Sequence, residues 1–104
     1  MRRVLIDECI PVQLYRALPG FDARTVAYMG WSSKSDVDLL AAATGQFDIL
    51  LTGDQALPAE HDLARLGLVI VVVAETRRRA VERKLSSILS ALHAAAAGTV
   101  TIVR

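Results

Sequence analysis

Apolar residues in this chain fall into two alternating kinds of block. Val4-Leu5-Ile6, Ile49-Leu50-Leu51 and Leu68 through Ala74 are short continuous runs closed by charged or turn-forming residues, as expected of strands buried on both faces. Elsewhere the apolar positions recur at helical spacing: Val12, Leu14, Tyr15 and Leu18, then Leu39 and Leu40, then Val81, Leu85, Ile88, Leu89 and Leu92. The pattern predicts a strand over 2–6, a helix entered at Pro11 and stopped by Pro19-Gly20, and a weakly alternating strand over 22–27. A loop over 29–34 follows. Ser35 is then placed to N-cap a helix ending near Gly45, with Asp38 as its capping-box partner. A strand over 48–52 leads to a Gly53-Asp54 turn and a short helix over 58–65 closed by Gly67. The β-branched run over 68–74 reads as a central strand covered on both sides. A helix over 76–97, stopped by Gly98, and a strand over 99–103 complete the chain.

This β-α alternation implies a parallel sheet with right-handed crossovers and helices on both faces. Composition agrees. Of the 104 residues, 53% are apolar and only 5% aromatic, so the core is built from aliphatic side chains, which suit helices on a sheet, and disorder is excluded. One domain over 1–104 is all that this length supports. Cys9 is the only cysteine, which leaves no internal disulfide and reads as a small buried hydrophobe. Asp7 and Glu8 interrupt the first apolar run too early for a signal-peptide core, and the run over 66–74 is about half the length of a membrane span. The expectation is a soluble, cytoplasmic protein with no membrane partner. A formal net charge of +1 gives no overall basic footprint, so any affinity for nucleic acid must come from local clustering.

The candidate chemistry is acidic. Asp7 follows the first strand, Asp54 follows the third, and Asp36 opens the helix leading into that third strand. Each has an ordinary role available: Asp7 in a turn, Asp36 at a positive helix end, Asp38 in a capping box, Asp54 in a Gly-Asp turn. Together they can share one rim, because ligands of open α/β sheets bind beyond the carboxyl ends of the strands. Carboxylates gathered there repel one another unless a cation lies between them. Hard oxygen ligands favour Mg²⁺ or Mn²⁺ over zinc, and His61 and His93, on separate predicted helices, are read as surface or packing residues. Such an ion activates water and stabilises a phosphodiester undergoing cleavage.

Leu5-Ile6-Asp7-Glu8-Cys9-Ile10-Pro11 resembles the opening of short PIN-like domains, in which a strand ends in an Asp-Glu pair shortly before a proline. Ser35-Asp36-Val37-Asp38-Leu39-Leu40 through Leu50-Leu51-Thr52-Gly53-Asp54 is similar to the second block of that family, an Asp opening an apolar helix and a Thr-x-Asp after a strand. The resemblance to VapC-type nucleases implies a three-layer α/β/α PIN-like domain with a central, mainly parallel five-stranded sheet. It also implies metal-dependent cleavage of RNA by a homodimeric toxin with a cognate antitoxin protein. Asp7, Asp36 and Asp54 are then the catalytic metal ligands for Mg²⁺ or Mn²⁺, with Glu8, Thr52 and Asp38 in support. Two departures are visible. The further acid of larger PIN nucleases has no counterpart except Asp22, and Gln55-Ala56-Leu57 replaces an aromatic residue expected after the last Asp.

Arg77, Arg78, Arg79, Arg83 and Lys84 cluster where positive charge opposes a helix dipole. They are candidate contacts for an RNA backbone, or else a solvated face balanced by Glu75 and Glu82. Tyr28 and Trp31 are open to two roles, stacking on an unpaired base or packing. Two other functions fit parts of the pattern. A receiver-like phosphoacceptor domain also has acids after the first strand and an Asp after the third, although its lysine after the fifth strand is missing and only Arg104 follows here. An inactive PIN-like scaffold for RNA or protein is the other.

Overall fold

The computed structural model describes residues 1–60, 63–96 and 99–104. Five strands, β1 (Arg2–Ile6), β2 (Phe21–Thr25), β3 (Ile49–Thr52), β4 (Val69–Val73) and β5 (Val100–Val103), form one sheet in the order β2-β1-β3-β4-β5. Every pairing is parallel. Parallel neighbours cannot be joined by tight hairpins, so each connection crosses a face of the sheet. A 3₁₀ helix (Val12–Ala17) links β1 to β2, α1 (Asp36–Ala43) links β2 to β3, and α2 (Leu57–Glu60) and α3 (Leu63–Leu66) lie between β3 and β4. Finally, α4 (Arg78–Arg83) and α5 (Leu85–Ala94) lead from β4 to β5.

Alternation of side chains across the strands divides the core in two. Val4, Ile6, Ile49, Leu51, Val69, Val71 and Val73 point to one face, where Leu14, Leu18, Val81, Ile88 and Leu92 cover them. Leu5, Leu50, Ile70 and Val72 point to the other, under Leu39, Leu40, Ala43, Leu57 and Leu68. The result is an α/β/α sandwich of three layers. All five residues of β4 are buried, as its β-branched run predicts. At the far edge, β5 leaves Val100 and Ile102 exposed while Val103 is buried.

Three expectations need adjustment. The first helix is a 3₁₀ helix; six residues between Pro11 and Leu18 make a short connector, the setting in which that tighter form is common. β2 begins at Phe21 and ends at Thr25, a little ahead of the predicted span. The last helix is broken at Lys84, where φ is −102° and ψ 12°. Arg79 and Arg83, like charges four residues apart, weaken a continuous helix there, and the Lys84 N–H bonds back to the carbonyls of Ala80 and Val81 at 3.1 and 3.2 Å. The Gly98 stop and His61 lie outside the described residues. Gly67 does close the short helical region, with φ +66°, a left-handed conformation that glycine adopts without cost.

Among the described residues, no helix is long and apolar enough to cross a membrane.

Candidate functional site

β1 and β3 are neighbours, but the chain leaves them in opposite directions, β1 towards β2 and β3 towards β4. Their carboxyl ends therefore border the crevice at which open α/β sheets bind ligands. Leu5 is in register with Leu50 and Ile6 with Leu51, and the Asp7 N–H donates to the Leu51 carbonyl at 2.9 Å. The ladder thus runs one step beyond β1. Asp7 and Thr52 fall at that next step on the face of Leu5 and Leu50, which makes them side-by-side neighbours.

Thr52 is fully buried and is the only polar residue so buried among those described. Its hydroxyl donates to Asp7 Oδ2 at 2.7 Å and accepts the Asp54 N–H at 3.1 Å. One oxygen therefore binds the two turns together. Asp7 Oδ1 accepts the Glu8 N–H at 2.8 Å, so backbone and hydroxyl fix both ends of this carboxylate. Asp54 is held by its own turn, with Oδ1 accepting the Ala56 N–H at 3.0 Å, the Asx arrangement that Asp favours after a glycine.

Cys9 and Gly53 complete the junction, and sequence reasoning gave neither a part in it. Cys9 is exposed, which corrects its reading as a buried hydrophobe. The turn after β1, closed by the Ile10 N–H to the Asp7 carbonyl at 3.1 Å, sends Ile10 into the core and leaves Cys9 outside. Its Sγ accepts the Gly53 N–H at 3.0 Å and lies 3.9 Å from Thr52 Oγ1. At Gly53, a Cβ would come within 2.3 Å of Thr76 Cγ2 and 3.2 Å of Cys9 Sγ. Close approach of three chain segments, rather than any unusual φ, requires glycine here.

Asp36 opens α1, the helix that leads from β2 into β3. It is exposed in the first turn of α1, and among the described residues no hydrogen bond or ion pair joins it to Asp7 or Asp54. Asp38 contributes half of the capping box: its N–H donates to Ser35 Oγ at 3.3 Å. Asp22 is at the opposite end of the sheet, 3.6 Å from both Arg3 and Arg24. Glu8 is exposed beside Asp7 and shares with it a small cleft that extends to Thr25 and Val26.

Among the described residues, no three His, Cys, Asp or Glu side chains converge closely enough to hold a metal ion. The fixed donors are two carboxylates. Two carboxylates would suit Mg²⁺ or Mn²⁺ if they shared an ion, because Mg²⁺ is commonly held by one or two carboxylates with water and substrate phosphate completing its shell. They do not suit zinc, which favours nitrogen and sulfur donors.

Beyond β4 the rim becomes basic. Thr76 lies against Gly53, and Arg77, Arg78, Arg79 and Arg83 border an open depression with Glu75. Arg78 Nε donates to Glu82 Oε1 at 3.2 Å, so part of this charge is balanced on the helix itself. Trp31 packs against the core under α1, its ring edge-on to Phe47 at 6.0 Å, whereas Tyr28 is 71% exposed. His93, exposed on α5, contacts the Phe21 ring at 4.7 Å. Comparison with protein-family models, with curated proteins and with solved structures gave no match.

Proposed function

We propose that this chain is a small metal-dependent ribonuclease of PIN-like type that hydrolyses RNA phosphodiester bonds. The observation that carries the reading is the buried Thr52 hydroxyl, which bonds the Asp7 carboxylate and the Asp54 backbone N–H at the crevice between β1 and β3. In this reading Asp7 and Asp54 would hold the ion, and Asp36 would add negative charge near it. Mg²⁺ or Mn²⁺ bound there supplies a water of lowered pKa and stabilises charge on the phosphodiester. Thr52 keeps the Asp7 carboxylate in one orientation, so little reorganisation is needed when the ion binds. Arg77, Arg79 and Arg83 draw the RNA backbone to the basic side of the rim. A toxin role, with an antitoxin partner and a homodimeric assembly, belongs to the same reading.

The test is cleavage of labelled RNA by the purified chain in Mg²⁺ or Mn²⁺ and in chelator. Metal-dependent products that vanish in Asp7→Asn and Asp54→Asn, with unchanged far-ultraviolet circular dichroism, support the reading. Products that persist in chelator, or no products with either metal, overturn it.

One observation favours a second reading. The strand order β2-β1-β3-β4-β5 is that of flavodoxin-like sheets, which include receiver domains, and Asp54 follows β3 as a phosphoacceptor does. Incubation with a small phosphodonor distinguishes the two, because a mass increase of one phosphoryl group on Asp54 is expected only of a receiver.

A further inference from the structure

The cleft beside Asp7 does not end at Thr25. A groove of about 340 Å³ continues from it along the outer edge of β2, lined by Val12, Tyr15, Ala23, Arg24, Thr25 and Tyr28. Val12 and Thr25 belong to both, so the groove and the acidic cleft are one continuous surface. Three of its residues are large apolar side chains left in solvent: Val12 is 53% exposed, Tyr15 39% and Tyr28 71%. Their exposure follows from the local structure. The 3₁₀ helix turns Leu14 inward and Tyr15 outward, and the Tyr28 N–H bonds Thr25 Oγ1 at 3.0 Å, which sets the turn that projects the Tyr28 ring.

Each tyrosine has an arginine against its ring. The Arg16 guanidinium lies 5.3 Å from the Tyr15 centroid and its Nε donates to the Tyr15 hydroxyl at 2.8 Å. The Arg24 guanidinium lies 5.2 Å from the Tyr28 centroid and is shared with Asp22 at 3.6 Å. Aromatic faces paired with cations, in a groove rather than on a flat surface, match a polymer of stacking bases joined by phosphates.

We propose that this groove is a subsite for an unpaired nucleotide of single-stranded RNA, its base stacked on Tyr28 and Tyr15 and its phosphate beside Arg24. The inference rests on the ribonuclease reading for the polymer it names and goes beyond it by locating the grip on one side of Asp7. Single-stranded RNA then crosses the rim from the tyrosine groove, over Asp7 and Asp54, to the arginines after β4.

The test is binding of a fluorescein-labelled short oligouridylate to the purified chain in EDTA, followed by anisotropy, so that turnover plays no part. The expected result is salt-sensitive binding by the wild type, a loss of about tenfold in Tyr28→Ala, and near-wild-type affinity in Tyr28→Phe. Because Tyr28 is largely exposed, an unchanged melting curve is expected for both variants. Absence of wild-type binding, or equal affinity of wild type and Tyr28→Ala, overturns the proposal. So does a dimer in sedimentation that Tyr28→Ala dissolves, because the groove then belongs to a second copy of the chain. Tyr28-dependent binding without metal-dependent cleavage leaves this subsite standing and removes the ribonuclease reading. Cleavage with Tyr28-independent binding does the reverse.

Discussion

The Thr52 hydroxyl donates a 2.7 Å hydrogen bond to Asp7 Oδ2 across 45 residues of chain. Because the same oxygen accepts the Asp54 N–H, a single buried atom ties the Asp7 carboxylate to the backbone of the turn that carries Asp54. Thr52→Val keeps the side chain's shape and removes both bonds. The expected cost is about 1–3 kcal/mol in urea unfolding, since the Asp54 N–H and an Asp7 oxygen lose their partner. Thr52→Ser keeps the hydroxyl and is expected to lose less than about 1 kcal/mol. Cleavage should follow the hydroxyl: retained in Ser, reduced in Val.

Gly53 predicts a steric effect with a specific remedy. Gly53→Ala brings a methyl within 2.3 Å of Thr76 Cγ2 and is expected to destabilise by about 1–3 kcal/mol through overpacking. Thr76→Ser deletes that methyl, so the double variant should recover most of the loss. Denaturant midpoints of the two single variants and the double variant give the coupling, and strictly additive costs would contradict the contact.

The acids should not be equivalent. Asp7→Asn and Asp54→Asn are expected to reduce metal-dependent cleavage by at least about 100-fold, since each removes a charged donor held by fixed hydrogen bonds. Asp36→Asn, in the exposed first turn of α1, should cost about tenfold or less in rate and roughly 0.5 kcal/mol in stability through the helix dipole. Single-turnover rates at saturating Mn²⁺ measure this order. An Asp36 effect equal to that of Asp7 would place all three acids around one ion.

The basic side of the rim predicts a salt dependence. Removing Arg77, Arg79 and Arg83 together, each by substitution with Gln, should flatten the plot of log affinity against log salt. The expected change in slope is about 0.7 for each phosphate of single-stranded RNA that is no longer neutralised. Arg78→Gln should change it less, because Arg78 is already paired with Glu82 at 3.2 Å. Anisotropy titrations over a range of potassium chloride concentrations give the slopes.

The sheet was legible because its strands announce themselves physically. A run such as Val69 to Val73, β-branched at every position, is compatible with little other than a strand covered on both faces. Asp7 and Asp54 were legible as strand ends for the same reason, and neighbouring β1 and β3 put their turns side by side. Thr52 was visible only as a supporting residue, because its hydrogen bond to Asp7 depends on register, which periodicity does not reveal. Cys9 was misread because hydrophobicity alone cannot show that a turn will hold a side chain outside the core. The break at Lys84 escaped detection since Val81, Leu85 and Ile88 keep helical spacing across it; like charges and backbone geometry end the helix, not a change of pattern. The groove beside Tyr28 needed the edge position of β2, a property of topology rather than of any local segment.

The parallel pairing of every strand has a kinetic corollary. With no hairpin available, β1 meets β3 only after the chain between them has closed a long loop, an entropic cost that precedes any reward from the pairing. The Asp7–Thr52 junction therefore cannot exist in a locally folded fragment of either strand. The two acids come into position only when the sheet assembles, so a partly folded chain, during synthesis or after stress, carries all the chemistry of the site but none of its geometry.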